Sequence, residues 1–225
     1  MAYYPDRPGR NESGMPDRAS SITDPTAEAA LDNRLFIVVL QHPQERREPR
    51  ATAAAAVSLL RRARLVAGLS WPNLPRAVGR RADPRRWGVA YLGSAQPAAL
   101  AAASGKDREI FLLGRAGGPV SDPAPILAGL DGLVLLDGTW SQAKTLWWRN
   151  PWLLKLHRLV LNPPAPARFD RLRRAPRREA LSTLEAAALV LRHVERTPAA
   201  ADALLAALDR LMAAQGRQEQ PDARA

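Results

Sequence analysis

Cysteine is missing from this chain altogether, and histidine occurs only at positions 42, 157 and 193. Without thiols there is no disulfide, no thiolate nucleophile and no Cys-ligated zinc or iron–sulfur centre. Three histidines with no close spacing argue against a metal site, so the expected metal complement is none. Long apolar runs are missing too. None approaches the length of a membrane span, and the opening residues lack the apolar core of a signal peptide. The expectation is a soluble, cytoplasmic monomer with no membrane partner. Acidic residues are the remaining shortage: 22 Asp and Glu face 33 Lys and Arg, a formal charge of +11 carried almost wholly by arginine. Such an excess is a footprint for a polyanion, of which nucleic acid is the usual one. Arginine-rich codon usage is the competing explanation.

What is present suits one domain with tails, since 225 residues can bury a sizeable core. Residues 1–33 read as a largely disordered or extended segment, poor in aliphatics, with Asp24-Pro25 able to cap a short helix to about Leu31. Residues 34–213 read as the domain and 214–225 as a tail. Leu35 to Leu40 is a continuous apolar, β-branched run, the pattern of a strand buried on both faces. A helix is expected from about Ala53 to Val66, then a loop at Trp71 to Pro75 leading into the basic stretch Arg76 to Arg86. Trp87 to Leu92, Glu109 to Leu113, Leu133 to Leu136 and Arg158 to Leu161 read as further strands. A helix after Thr139 must stop near Asn150-Pro151, because proline cannot continue it. Two more helices are expected, at about Thr183–Glu195 and Pro198–Ala213. Strands alternating with helices imply an α/β fold with a mostly parallel sheet and flanking helices.

The most informative stretch is Asp137-Gly138-Thr139-Trp140, where the run Leu133 to Leu136 stops and a helical pattern begins. A buried strand that ends in a carboxylate and a glycine builds a concave polar site, and ligands of open α/β sheets collect at such carboxyl ends. An Asx-turn or capping aspartate accounts for Asp137 equally well. Thr139 with Gln142, and Ser182 with Glu185, are capping-box pairs, a role compatible with exposing free N–H groups to an anionic ligand. Trp140, Lys144 and Trp148 share one helix face at i, i+4 spacing, with Trp147 beside it. Such a stripe is expected to be core, Trp140 excepted. Two arginine blocks stand out. Ala165 to Glu179 holds Arg168, Arg171, Arg173, Arg174, Arg177 and Arg178 against two acids, with Phe169 as a stacking surface; Arg76 to Arg86 holds five arginines against Asp83. Both are expected to flank the site and contact phosphates.

The stretch Leu-Asp-Gly-Thr-Trp-Ser-Gln-Ala-Lys at 136–144 resembles the DTW-domain family, named for its Asp-x-Thr-Trp signature. The resemblance extends to Leu40-Gln41-His42-Pro43-Gln44-Glu45, like the family's His-Pro-x-Glu box, and to Asn150-Pro151-Trp152, Pro163 to Arg173 and Leu181 to Ala186 in the family's order. Two departures stand beside it: the paired cysteines that many members carry before the first strand are absent, and alanines surround Thr52 where the family often reads Asn-Thr-Gly-Arg.

The resemblance implies a fold related to the SPOUT superfamily, with a C-terminal trefoil knot. It implies transfer of the 3-amino-3-carboxypropyl group of S-adenosylmethionine, as co-substrate, to N3 of a uridine in RNA. Transfer RNA is the expected partner and ribosomal RNA the alternative. Under it Asp137 is the catalytic base. Gly93, Ser94, Gly138, Thr139, Trp140, Ser182, Thr183 and Glu185 bind the co-substrate. His42, Glu45, Lys144, Arg168, Phe169, Arg173, Arg174, Arg177 and Arg178 meet RNA. The competing readings are a SPOUT-type RNA methyltransferase and a non-catalytic RNA-binding or ribosome-assembly factor.

Overall fold

Six strands form a single sheet in the order β2-β1-β5-β3-β6-β4, as a computed structural model of the chain describes it for residues 30–47, 52–106, 108–114, 116–164 and 181–218. In chain order the elements are β1 (Phe36–Gln41), α1 (Thr52–Leu59), β2 (Ala63–Ala67), α2 (Leu74–Val78), β3 (Trp87–Ala90) and α3 (Pro97–Ser104). They continue with β4 (Ile110–Leu113), α4 (Ala124–Ala128), β5 (Gly132–Asp137), α5 (Trp140–Arg149), β6 (His157–Leu161), α6 (Thr183–Val194) and α7 (Ala199–Gln218). Neighbouring strands run parallel except for β4, which pairs antiparallel with β6 at one edge. The α/β expectation stands. The knot turns on the path between Pro164 and Leu181, and 165–180 lie outside the described residues. So do the short helix expected after Asp24-Pro25 and the arginine block with Phe169. Among the described residues no helix is long and apolar enough to cross a membrane.

Period-two alternation explains why the central strands are apolar throughout. On β1, Ile37 and Val39 face a core shared with α1, α6 and α7, while Val38 and Leu40 face a second core under α2 and the turn holding Trp152 and Leu153. On β5, Leu133 and Leu135 join the first core and Val134 the second. Each fully buried leucine contributes about 1.5–3 kcal/mol. The two capping boxes form as read: Thr139 with Gln142 opens α5, and Ser182 with Glu185 opens α6.

Six elements differ from the sequence reading. The helix expected to reach Val66 stops at Leu59, and Ala63–Ala67 is instead an edge strand beside β1. The alanine run gives helical propensity with no stop signal, and pairing with a distant strand overrides it. The stretch read as a loop at Trp71 to Pro75 contains the start of α2, which Asn73 caps by accepting from the Arg76 N–H and which Gly79 ends at φ 78°. The short helices α3 and α4 carry no polar face that would mark them. Helix α7 runs to Gln218, into the stretch expected to be tail.

At the amino end of the sheet Gly132 lies across from Trp87, and a Cβ placed there would come within 2.5 Å of the indole ring. Gly132→Ala is expected to destabilise the protein by about 1–3 kcal/mol through overpacking against a rigid ring. A urea midpoint equal to the parent's would mean that the ring can swing clear.

Candidate active site

The strand ends assemble the site by parity. Leu40 and Leu136 precede Gln41 and Asp137 and belong to the second core, so Gln41 and Asp137 both turn to the opposite face, where α1 and α6 lie. They are register partners on adjacent parallel strands. The Gln41 Nε2 donates to Asp137 Oδ2 at 3.0 Å, and the Thr183 hydroxyl donates to Asp137 Oδ1. The N–H of Thr183 in turn donates to Thr52 Oγ1 at 3.2 Å. The starts of α1 and α6 are thereby tied to the end of β5, a few residues before α5 begins. Three helix N-termini gather at one crevice, each adding the positive end of its dipole.

That crevice has a topological cause. The helix after β1 covers one face of the sheet and the helix after β5 covers the other, although the two strands are neighbours. Adjacent parallel strands whose connections leave in opposite directions open a gap at their carboxyl ends, where ligands of α/β proteins sit.

Asp137 is half-buried, and its two hydrogen bonds leave acceptor capacity on both oxygens. Gly138 adopts φ 151°, and a Cβ there would lie 2.8 Å from Gln142 Cβ and 3.4 Å from His42 Cβ. Glycine is thus required so that the capping glutamine and the loop after β1 can close on the strand end. His42 donates its N–H to the Asp137 carbonyl at 3.0 Å, and Gln44 accepts from Gln142 Nε2 at 3.1 Å. The His-Pro box and the Asp-Gly-Thr-Trp turn therefore form one packed corner.

Beside it, Arg158 is held by the carbonyls of Tyr91, at 3.0 Å from Nε, and Leu92. Tyr91 stacks on Trp147 with ring centroids 4.3 Å apart, and the guanidinium lies over both rings. Burial pulls the Arg158 guanidinium below its ordinary value and pushes the Tyr91 phenol up. The bracket fixes the turn at Gly93 and Ser94, where Gly93 takes φ 56° and a Cβ would meet Arg158 Nη2 at 2.7 Å.

A model of the DTW domain matches residues 21–216, most of the chain. This protein belongs to the DTW family. Membership associates it with tRNA-modifying transferase activity and an RNA substrate. No curated protein and no solved structure matches it.

Within this DTW domain the structure brings together Asp137, Gly138, Thr139, Thr183 and His42, with Ser182 and Glu185 one turn away in the α6 cap. Glu45, expected to meet RNA, is buried and instead helps to hold the box, its N–H on the His42 carbonyl. The tryptophan face was expected to be core, yet Trp148 is 71% exposed and Lys144 is exposed with it; Leu146 and Trp147 make the inward face. Spacing gave the face, and packing decided which way it looked. The Arg76–Arg86 block does not flank this crevice. It ends at the start of β3, where Arg86 pairs with Asp131 just before β5, at the opposite end of the sheet. Two residues were missed as site residues, Gln41 and Thr52. The signal for Gln41 was a polar residue closing a fully apolar strand.

Proposed function

We propose that this DTW protein transfers the 3-amino-3-carboxypropyl group of S-adenosylmethionine to N3 of a uridine, in transfer RNA first, in the cytoplasm and on a SPOUT-like knotted fold. The observation that carries the reading is the Asp137 carboxylate, clamped by Gln41 and Thr183 at a crevice ringed by helix N-termini. Uridine N3 is a poor nucleophile while protonated, so a base must take that proton as the new N–C bond forms. Asp137 supplies the base, and the clamp fixes the direction of its remaining lone pairs. When bound, S-adenosylmethionine supplies a sulfonium-activated carbon and leaves as neutral 5′-methylthioadenosine, the sulfur keeping the electrons of the broken C–S bond. In this reading the dipoles opening α5 and α6 attract its α-carboxylate, and Trp140 with the Gly93-Ser94 turn is assigned to its adenosine. Because N3 is engaged in Watson–Crick pairing, the target uridine must be unpaired or flipped out.

Nucleoside mass spectrometry of RNA from cells with and without the protein tests this directly. A uridine carrying the added aminocarboxypropyl mass should vanish with the protein. Loss of a methylated nucleoside instead would reassign the chemistry to methyl transfer, and an unchanged spectrum would leave a non-catalytic factor. Calorimetry on the purified protein should also detect S-adenosylmethionine binding with chelator present and no added metal. Heat signals that appear only with a divalent cation would contradict the proposed donor set.

A further inference from the structure

Two arginines of the Arg76–Arg86 block, Arg80 and Arg81, line a cavity remote from Asp137. It has a volume of about 610 Å³ and opens at the amino end of the sheet, between Phe36, Arg62, Arg80, Arg81, Trp87 and Asp131. Phe36 and Trp87 are both register partners of Gly132, the first residue of β5, whereas Asp137 is its last. Five residues of strand rise put the two ends about 17 Å apart.

The charges are arranged in two classes. Asp83 is consumed by Arg85 at 3.0 Å, and Asp131 by both nitrogens of a fork from Arg86 at 2.6 and 2.7 Å. The Arg86 guanidinium, joined at longer range by Arg34 and Arg62, holds the Asp131 carboxyl below the usual range. By contrast, no carboxylate among the described residues lies within ion-pair distance of Arg62, Arg80 or Arg81. Arg80 stands 5.4 Å over the Phe36 ring, and Phe36 and Trp87 are 6.1 Å apart at a 45° tilt. Guanidiniums without an ion-pair partner around one concavity raise its potential and recruit an anion. The planar forks match phosphate oxygens, and the arginine above an aromatic ring offers a flat cationic surface to a base.

We infer that this cavity is a second RNA site, in which Arg62, Arg80 and Arg81 grip backbone phosphates of the substrate away from the reacting uridine. The inference rests on the RNA reading above. Phosphates of a stacked strand advance about 3.4 Å each, so the gap to Asp137 corresponds to roughly five nucleotides. The site therefore measures the RNA around the target and contributes no sequence reading of its own.

The test uses Arg62→Gln/Arg80→Gln/Arg81→Gln in the full chain, with Arg81→Glu as a single, exposed change that keeps the test alive should the triple variant fold poorly. Binding of bulk transfer RNA is followed against salt. The triple variant should flatten the log–log slope by about two to three units, at 0.7 to 0.9 per phosphate. Arg81→Glu should weaken binding and flatten the slope by about one unit. On full-length RNA KM should rise with kcat held, while transfer to an oligonucleotide that extends no more than about three nucleotides to either side of the uridine should be unaffected. A parent protein with no salt-dependent RNA binding would sink the RNA reading itself. A parent that binds with the expected slope and variants that match it would overturn the second site alone, as would an equal loss on the short oligonucleotide and full-length RNA. Pyrophosphate bound in the cavity with no competition against RNA would likewise overturn it.

Discussion

Asp137→Asn is expected to slow transfer by about a hundred- to ten-thousand-fold, the usual contribution of a positioned general base, while S-adenosylmethionine binding changes far less. The substitution is nearly isosteric and its surroundings accept it. The Gln41 amide can rotate to offer its oxygen to the new NH2, and the Thr183 hydroxyl still donates to the remaining oxygen. Only the proton acceptor is lost. Single-turnover transfer with calorimetry in parallel separates the two effects, and equal losses in kcat and kcat/KM would mark an interaction of the transition state. Near-normal turnover would make Asp137 a positioning residue. Asp137→Ala should be inactive and also less stable by about 1–3 kcal/mol, since the buried Gln41 amide loses its acceptor.

The second large effect lies away from the chemistry. Asn150 is fully buried, and every polar atom of its amide is engaged. Oδ1 accepts from the Trp71 N–H at 2.8 Å and from the Trp152 indole at 3.3 Å; Nδ2 donates to the carbonyls of Leu69 and Leu146 at 3.0 and 2.8 Å. One side chain thus ends α5, starts the turn after it and pins the loop that follows β2. Asn150→Ala should cost about 3 kcal/mol by orphaning these groups, which lowers Tm by roughly 6 to 12 °C at this chain length. Asn150→Asp, which keeps the shape and the acceptor but loses both donations, should recover little. Scanning calorimetry decides it, and a Tm within a degree or so of the parent's would mean that water replaces the amide.

These two residues show what the sequence could and could not disclose. Asp137 stood out because an apolar run ending in Asp-Gly before a capped helix is a local pattern, and β1, β5, α5 and α6 were legible for the same reason. Asn150 belonged to a recognisable motif, but nothing local says that its amide serves four partners from three segments. Strand β2 was hidden by Arg61, Arg62 and Arg64, which suit an edge strand and an exposed helix equally. Gln41 and Thr183 lie far apart in the chain; sheet register brings the first to Asp137 and the docking of α6 brings the second. The position of the Arg76–Arg86 block depended on which way the chain travels after β2, and linear charge counts carry no such direction. Parity along β1 and β5 would have placed Gln41 beside Asp137 once the two strands were known to be neighbours.

The clamp on Asp137 also sets when the crevice can be complete. The carboxylate arrives with β5, but the hydroxyl that steadies it comes from Thr183, well over forty residues later, on a helix whose inner face is buried against α1 and α7. During synthesis the nascent chain exposes β1, β5 and the loop after them first, and domains generally consolidate as units as they emerge. Until α6 docks, the crevice has neither its third helix start nor its second grip on the Asp137 carboxylate. Assembly of the crevice therefore waits for α6, and a ribosome that stalls before that helix leaves behind a product able to hold part of the sheet but not the complete clamp on Asp137.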